Sequence, residues 1–315
     1  MADKKRTLTG NLLLTVASIV WGFAFVAQKI CASYLDPFSV NAARFLVGGL
    51  ILLPAVWLSD RIRRSDRRLF SRKNRFWVGL NRFEAVGGSI CGVLLCVAAN
   101  LQQFSISETS PGKTAFLTAL YCAFVPVIGL CLGRRVGIHV WGGVGLAMTG
   151  AYFLTVYGEN TTLALSDLVL LLCAVFFAVH ITIVDRVSDR ADGIRFSMVQ
   201  FFVAGALSIP LALFFGGGSS NLWLPALPSV LFLGLLSCGV GYTFQIVGQQ
   251  LSGRPTVAAI ILSLESVFGL IAGLLFGMEG EMTPVKLLGC ALILAAVILA
   301  QLPNDLFAFK KNKNA

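Results

Sequence analysis

The sequence predicts an all-α integral membrane protein: ten transmembrane helices arranged as two inverted five-helix repeats, with both termini in the cytoplasm. Three observations carry that expectation: an apolar composition, a regular alternation of basic residues between connections, and collinear matches between the two halves. Of 315 residues, 57% are hydrophobic and 13% are charged, and the mean hydropathy is +0.82. A soluble domain carries about 25% charged residues.

Ten apolar stretches separated by short polar breaks fall at residues 12–30, 38–58, 85–104, 114–132, 138–157, 165–184, 196–215, 227–248, 256–276 and 285–302. Each is close to the roughly 20 residues that cross the bilayer core as a helix. The charged start is followed by a run of full membrane length with no small-x-small cleavage site, so the first stretch reads as a retained helix.

The formal charge is +10, and its distribution matters more than its size. Lys4, Lys5 and Arg6 precede the first span. Arg61, Arg63, Arg64, Arg67, Arg68, Arg72, Lys73, Arg75 and Arg82 fill the connection between the second and third. Arg134 and Arg135, then Arg186, Arg190 and Arg195, then Arg254, and finally Lys310, Lys311 and Lys313 fall in alternate connections after that. This is the positive-inside pattern and sets ten crossings with cytoplasmic ends. The arginine run reads as a topology determinant that also attracts anionic lipid, not as a nucleic-acid site. Asn160-Thr161-Thr162 forms a glycosylation sequon in a very short outer loop and reads as chance. Cys31, Cys91, Cys96, Cys122, Cys131, Cys173, Cys238 and Cys290 show no CxxC pair and read as small packing residues. Nothing calls for a metal or a cofactor.

With an offset of 156, Phe45, Val47, Gly49 and Pro54 meet Phe201, Val203, Gly205 and Pro210. With an offset of 142, Gly92, Cys96, Gln103, Ser110 and Thr114 meet Gly234, Cys238, Gln245, Ser252 and Thr256, and further on Gly143 and Leu146 align with Gly289 and Leu292. Such collinear order marks an internal repeat, 1–157 and 158–315. Five spans per half is an odd number, so the second copy enters the membrane from the opposite side. Inverted repeats are the architecture of many secondary transporters, with the substrate site near the midplane between the halves and two interchangeable conformations for alternating access.

Glu265 is the one carboxylate in the middle of an apolar helix, with no basic residue within a turn. Lone acids in hydrocarbon face protein-lined or wet cavities, which makes Glu265 a proton or cation site candidate; a hydrogen-bonded carboxyl in a static bundle is the alternative. Gly269, Gly273 and Gly277 share its face and let a neighbouring helix approach. Asn100 and Gln103 share a face of the third helix, and their counterparts Tyr242 and Gln245 share a face of the eighth. Mirrored depths make the two pairs candidate ends of one polar path, or simple interhelical hydrogen bonds. Trp21 and Tyr121 lie away from the interfacial aromatic belts and are candidate cavity walls, with ordinary packing as the alternative. His180, whose counterpart is Ala24, is a relay candidate or a hydrogen-bonded core histidine. Arg44 is placed to reach the outer interface or pair with Asp36; it, Lys29 and Lys113 read as snorkelling side chains, or as an electropositive outer mouth.

The stretch Ala17 to Phe25 with Trp21 and Gly22, Asp36-Pro37, Ala43-Arg44-Phe45-Leu46, Ala119-Leu120 through Pro126, Leu264-Glu265-Ser266-Val267-Phe268 and Gly277-Met278-Glu279 resembles the EamA-type members of the drug/metabolite transporter superfamily over essentially the whole chain. The resemblance implies a ten-helix bundle with a central cavity between halves. It also implies proton- or gradient-driven movement, usually outward, of amino acids, related metabolites or toxic compounds. Ser266 departs from the family, which often has proline there. Gly133-Arg134-Arg135 is expected about a turn early relative to Gly277-Met278-Glu279.

An integral-membrane enzyme acting on lipid-type substrates would show clustered acids, histidines or a nucleophile, and the chain has only His139 and His180. A nucleotide-driven pump would need a phosphate-binding loop. A passive pore or scaffold stands as the remaining alternative. The expected partners are a small-molecule substrate, a proton or other ion gradient and the lipid bilayer, with no nucleic acid. A homodimer is compatible, although no helix announces an interface. The expected setting is a bacterial cytoplasmic membrane.

Overall fold

The computed structural model describes residues 2–65, 80–155, 157, 164–188, 190–216 and 222–302. Arg67, Arg68, Arg72, Lys73 and Arg75, the Asn160-Thr161-Thr162 sequon, and Lys310, Lys311 and Lys313 lie outside them. Within the described residues the apolar stretches are helical, which pairs most of their backbone polar groups inside their own segment. The helices are α1 (Ala2–Ala32), α2 (Pro37–Ser65), α3 (Phe83–Ile106), α4 (Pro111–Cys131), α5 (Ile138–Thr155), α6 (Leu165–Ser188), α7 (Gly193–Phe215), α8 (Trp223–Ser252), α9 (Pro255–Leu275) and α10 (Pro284–Gln301). Nine are long and apolar enough to cross a membrane; in α5 the described apolar part, Ile138–Leu154, is shorter. The chain is a multi-pass membrane protein.

Local chemistry sets the ends. Ser110 accepts from Lys113 N at 3.3 Å ahead of Pro111, and Thr283 accepts from Lys286 N at 3.3 Å ahead of Pro284. Asp192 Oδ1 accepts from Ile194 N and Arg195 N, both at 3.1 Å. These satisfy donors that the first turn leaves free, and proline at the first position loses nothing there. Gly133 and Gly277 follow α4 and α9 at φ 76° and 67°, a left-handed cap that favours glycine. α4 and α9 therefore have equal length, 21 residues each. The expected shortening of the fourth span is corrected: both helices run from a proline to a capping glycine.

Both of these helices are broken in the same place. α4 is interrupted at Leu120, between Pro111–Ala119 and Tyr121–Cys131. α9 is interrupted at Ser263 and Leu264, between Pro255–Leu262 and Glu265–Leu275. The break in α9 precedes Glu265, one turn tightened by Leu264 N→Ile261 O at 3.2 Å and Ser266 N→Ser263 O at 3.1 Å. α8 contains a ten-residue π-helical stretch, Leu233–Tyr242, a wide geometry that concentrates at functional positions.

The packing is symmetric under exchange of α1–α5 for α6–α10. α5 meets α10 and α2 meets α7 along extensive contacts, and α1 packs on α8 and α9 just as α6 packs on α3 and α4. At the α5–α10 crossing a Cβ on Gly150 would lie 2.7 Å from Gly289 O, so the two backbones touch. Gly92 packs on Val203 and Gln200 O while Gly234 packs on Val47 and Arg44 O, the same contact in both copies. Phe45 and Phe201, counterparts in α2 and α7, stack with centroids 6.1 Å apart and planes 13° from parallel. Of the glycine stripe after Glu265, Gly269 makes the close approach, where a Cβ would sit 2.9 Å from Ala115 Cβ.

Candidate functional site

A cavity with about 30 Å³ of water-accessible space lies where α1, α2, α3, α4, α6, α8 and α9 converge. Its aromatic wall is Trp21, Phe25, Tyr121, Phe177 and Tyr242. Its polar groups are Gln28, Arg44, Gln102, Thr118, Gln245 and Glu265. Trp21 and Phe177 are counterparts in α1 and α6, as are Phe25 and Ile181, so both halves build the same wall.

Five of the residues singled out from the sequence meet here: Trp21, Tyr121, Tyr242, Gln245 and Glu265. Trp21 is fixed by its Nε1 donating to Ser237 O at 3.2 Å, a carbonyl of the π-helical stretch, and by its ring 4.7 Å from that of Tyr242. Glu265 is 3% exposed and adjoins Tyr121. Glu265 Oε1 and Tyr121 Oη are both buried without a partner in hydrogen-bond geometry, as is Gln245 Oε1. Buried polar atoms are normally paired, so three unpaired ones around one space mark it as a place for polar chemistry.

Asn100, Gln103 and His180 do not line the cavity. Asn100 is held between α2, α3 and α7: it accepts from Asn41 Nδ2 at 2.9 Å and donates to Cys96 O at 2.7 Å and Ser208 Oγ at 3.2 Å. Gln103 donates to Gln28 O at 3.0 Å. His180 Nε2 bonds Gln200 Oε1 at 3.0 Å in the fully buried α6–α7 contact. Its edge still faces Tyr242, with centroids 6.2 Å apart. Of the two polar pairs, Asn100 with Gln103 and Tyr242 with Gln245, the cavity holds only the second.

Arg44 is the residue that sequence reasoning misplaced. It neither snorkels nor pairs with Asp36: it is 2% exposed and lines the cavity, while Asp36 Oδ1 accepts from Phe38 N and Ser39 N at 3.0 Å. The signal was depth, since seven residues from the start of α2 is about 10 Å along a helix. The two lysines named with Arg44 are each partnered. Lys29 Nζ donates to Ile106 O, Ser107 O and Thr109 O at 2.9–3.0 Å, covering carbonyls at the end of α3, and Lys113 pairs with Asp167 at 2.8 Å.

A second cavity, with about 360 Å³ of water-accessible space, is lined by Arg134, Arg135, Arg254 and Thr182. Arg134 pairs with Asp185 at 2.5 Å. Ile181 borders the first cavity and its neighbour Thr182 the second, so α6 runs past both.

A multi-pass bundle with a charged, aromatic-walled cavity at its centre defines an integral membrane transporter. The EamA-like transporter family pattern matches residues 8–156 and again 164–302, and the chain belongs to that family. An uncharacterized transporter of Archaeoglobus fulgidus is 26% identical over 305 residues, 96% of this chain and 88% of its own. The uncharacterized transporter YwfM of Bacillus subtilis is 24% identical over 296 residues, 92% of each. A solved crystal structure matches with a TM-score of 0.72 at 17% identity, covering 95% of this chain and 99% of that one, a likeness of fold.

Proposed function

We propose that the chain is a proton-coupled secondary transporter of the cytoplasmic membrane, exporting small metabolites such as amino acids or related toxic compounds. Its ten helices cross with both termini cytoplasmic, and the halves 1–157 and 158–315 are inverted copies. The exchangeable helix contacts and the twofold family match support the inverted repeat. Rocking of one half against the other around the shared cavity gives access from alternate sides.

The observation that carries this reading is Glu265, buried in the cavity with an unpartnered carboxyl oxygen, directly after a helix break. A carboxyl group so placed can take up a proton from one side and release it to the other, and the broken helix lets it change exposure without unfolding the span.

The test is reconstitution into vesicles with an imposed pH gradient, offered a pool of amino acids and metabolites, with accumulation measured by mass spectrometry. Selective accumulation by the natural chain and not by Glu265→Gln is the expected result. Equal movement by both would leave Glu265 a structural residue.

A further inference from the structure

Arg44 and Glu265 share the cavity without being a pair. Arg44 Nε is buried and has no partner, and among the described residues the salt bridges join other groups, Lys113 to Asp167, Arg134 to Asp185 and Arg195 to Asp60. The guanidinium carbon lies over the Phe45 ring, 4.8 Å from its centroid, and Nε beside it is left unpaired. An intramembrane cation with no counter-charge is strongly disfavoured, and such residues mark ligand paths.

The repeat shows what completes this position. Counterparts of Ala24 and Arg44, 156 residues on, are His180 and Gln200, which bond each other and fill the space between α6 and α7. In the first half the imidazole is replaced by the methyl group of Ala24, and Ala24 and Arg44 both border open volume. One half supplies its own acceptor; the other presents a cation to the cavity.

We propose that the cavity binds its substrate by a carboxylate group received by Arg44, with the substrate's apolar body against Trp21, Tyr121 and Tyr242. The guanidinium fork matches a planar carboxylate in two parallel bonds. A single arginine among aromatic walls, with Glu265 in the same space, suits one negative charge and disfavours a phosphate or a polyanion. This rests on the reading of the cavity as the transport site.

The experiment titrates the detergent-purified full chain, by calorimetry and by thermal shift, with butanoate, hexanoate and 3-phenylpropanoate and with the alcohol and amine of each carbon skeleton. Binding of at least one carboxylate, with its alcohol and amine weaker by roughly tenfold or more, is expected. Arg44→Gln should abolish that preference, and Arg44→Lys, which keeps the charge without the fork, should retain part of it. Should Arg44→Gln fail to fold, the comparison of Arg44→Lys with the natural chain decides. The proposal is overturned if no carboxylate binds, if the alcohols or amines bind as tightly, or if neither substitution changes carboxylate affinity. Vesicle transport separates the two readings. A carboxylate bound through Arg44 but never moved across the membrane removes the transport reading alone, whereas solute movement indifferent to Arg44→Gln removes the anchor alone.

Discussion

Tyr121 and Glu265 are the same residue position in two copies of one broken helix, and they adjoin each other in the central cavity. They stand 144 residues apart, as do the prolines that open the two helices, Pro111 and Pro255, and the glycines that cap them, Gly133 and Gly277, so the offset of 142 that relates α3 to α8 does not carry on to Ser110 and Thr114. Each begins the second segment of its helix. A hydroxyl thus stands beside a carboxyl at the point where both helices are broken.

That arrangement predicts the behaviour of Tyr121→Phe. The phenol oxygen has no other partner, so its loss should cost about 1 kcal/mol or less in stability. Gradient-driven accumulation, measured in vesicles, should fall severalfold while exchange of solute without a gradient persists. Unchanged coupling would mean that the phenol does no more than fill space.

The two amides separate packing from binding. Gln103→Leu removes the bond to Gln28 O inside a fully buried contact and should lower the melting temperature. Gln245→Leu alters a cavity wall, and its effect should fall on solute affinity, read by titration, with melting nearly unchanged. A reversed outcome would move the binding site along the bundle.

The features of the site that were legible in sequence are those that violate an apolar pattern. An acid within α9 and aromatics away from the membrane interface are anomalies, and Glu265, Trp21 and Tyr121 do meet at the cavity. Arg44 was misread because a cation near the end of a span has an inexpensive explanation in snorkelling, and only the rotation of α2 against α7 shows where its head goes. Asn100 could be read as a path residue or as an interhelical hydrogen-bonding one, and it is the second; its partner Asn41 is 59 positions away, a pairing no local pattern reveals. The helix breaks carry no glycine or proline at Leu120 or at Ser263 and Leu264; in α9 the hydroxyls of Ser263 and Ser266 donate to Ile260 O and Ser263 O, local bonds that compete with the helical pattern. The all-helical, multi-pass class fared better, since hydropathy averages over many residues.

Asp60 and Arg195 form a buried pair between α2 and α7, with side-chain exposures of 11% and 10%. Removing one partner strands the other charge, so Asp60→Ala should destabilise by about 3–5 kcal/mol. Denaturant unfolding in mild detergent measures it. Combining it with Arg195→Met should recover much of the loss, because two apolar side chains then meet; failure to recover would show that Arg195 is held mainly by its other contacts.

The asymmetry between Ala24 and His180 allows the sharpest test of the repeat. His180→Ala strands Gln200 in a fully buried contact and opens a hole, and should cost about 2–4 kcal/mol of stability. Ala24→His is the mirror change, placing an imidazole where the cavity now has a methyl group. Because the same side chain already fits between α6 and α7, the fold should tolerate it, with a melting temperature within a few degrees of the natural chain. Binding of solute should be lost, because the imidazole takes the volume bordered by Arg44. Retained binding would mean that the two halves do not superpose at this position, and a collapse in stability would mean that α1 is packed against α2 more tightly than α6 is against α7.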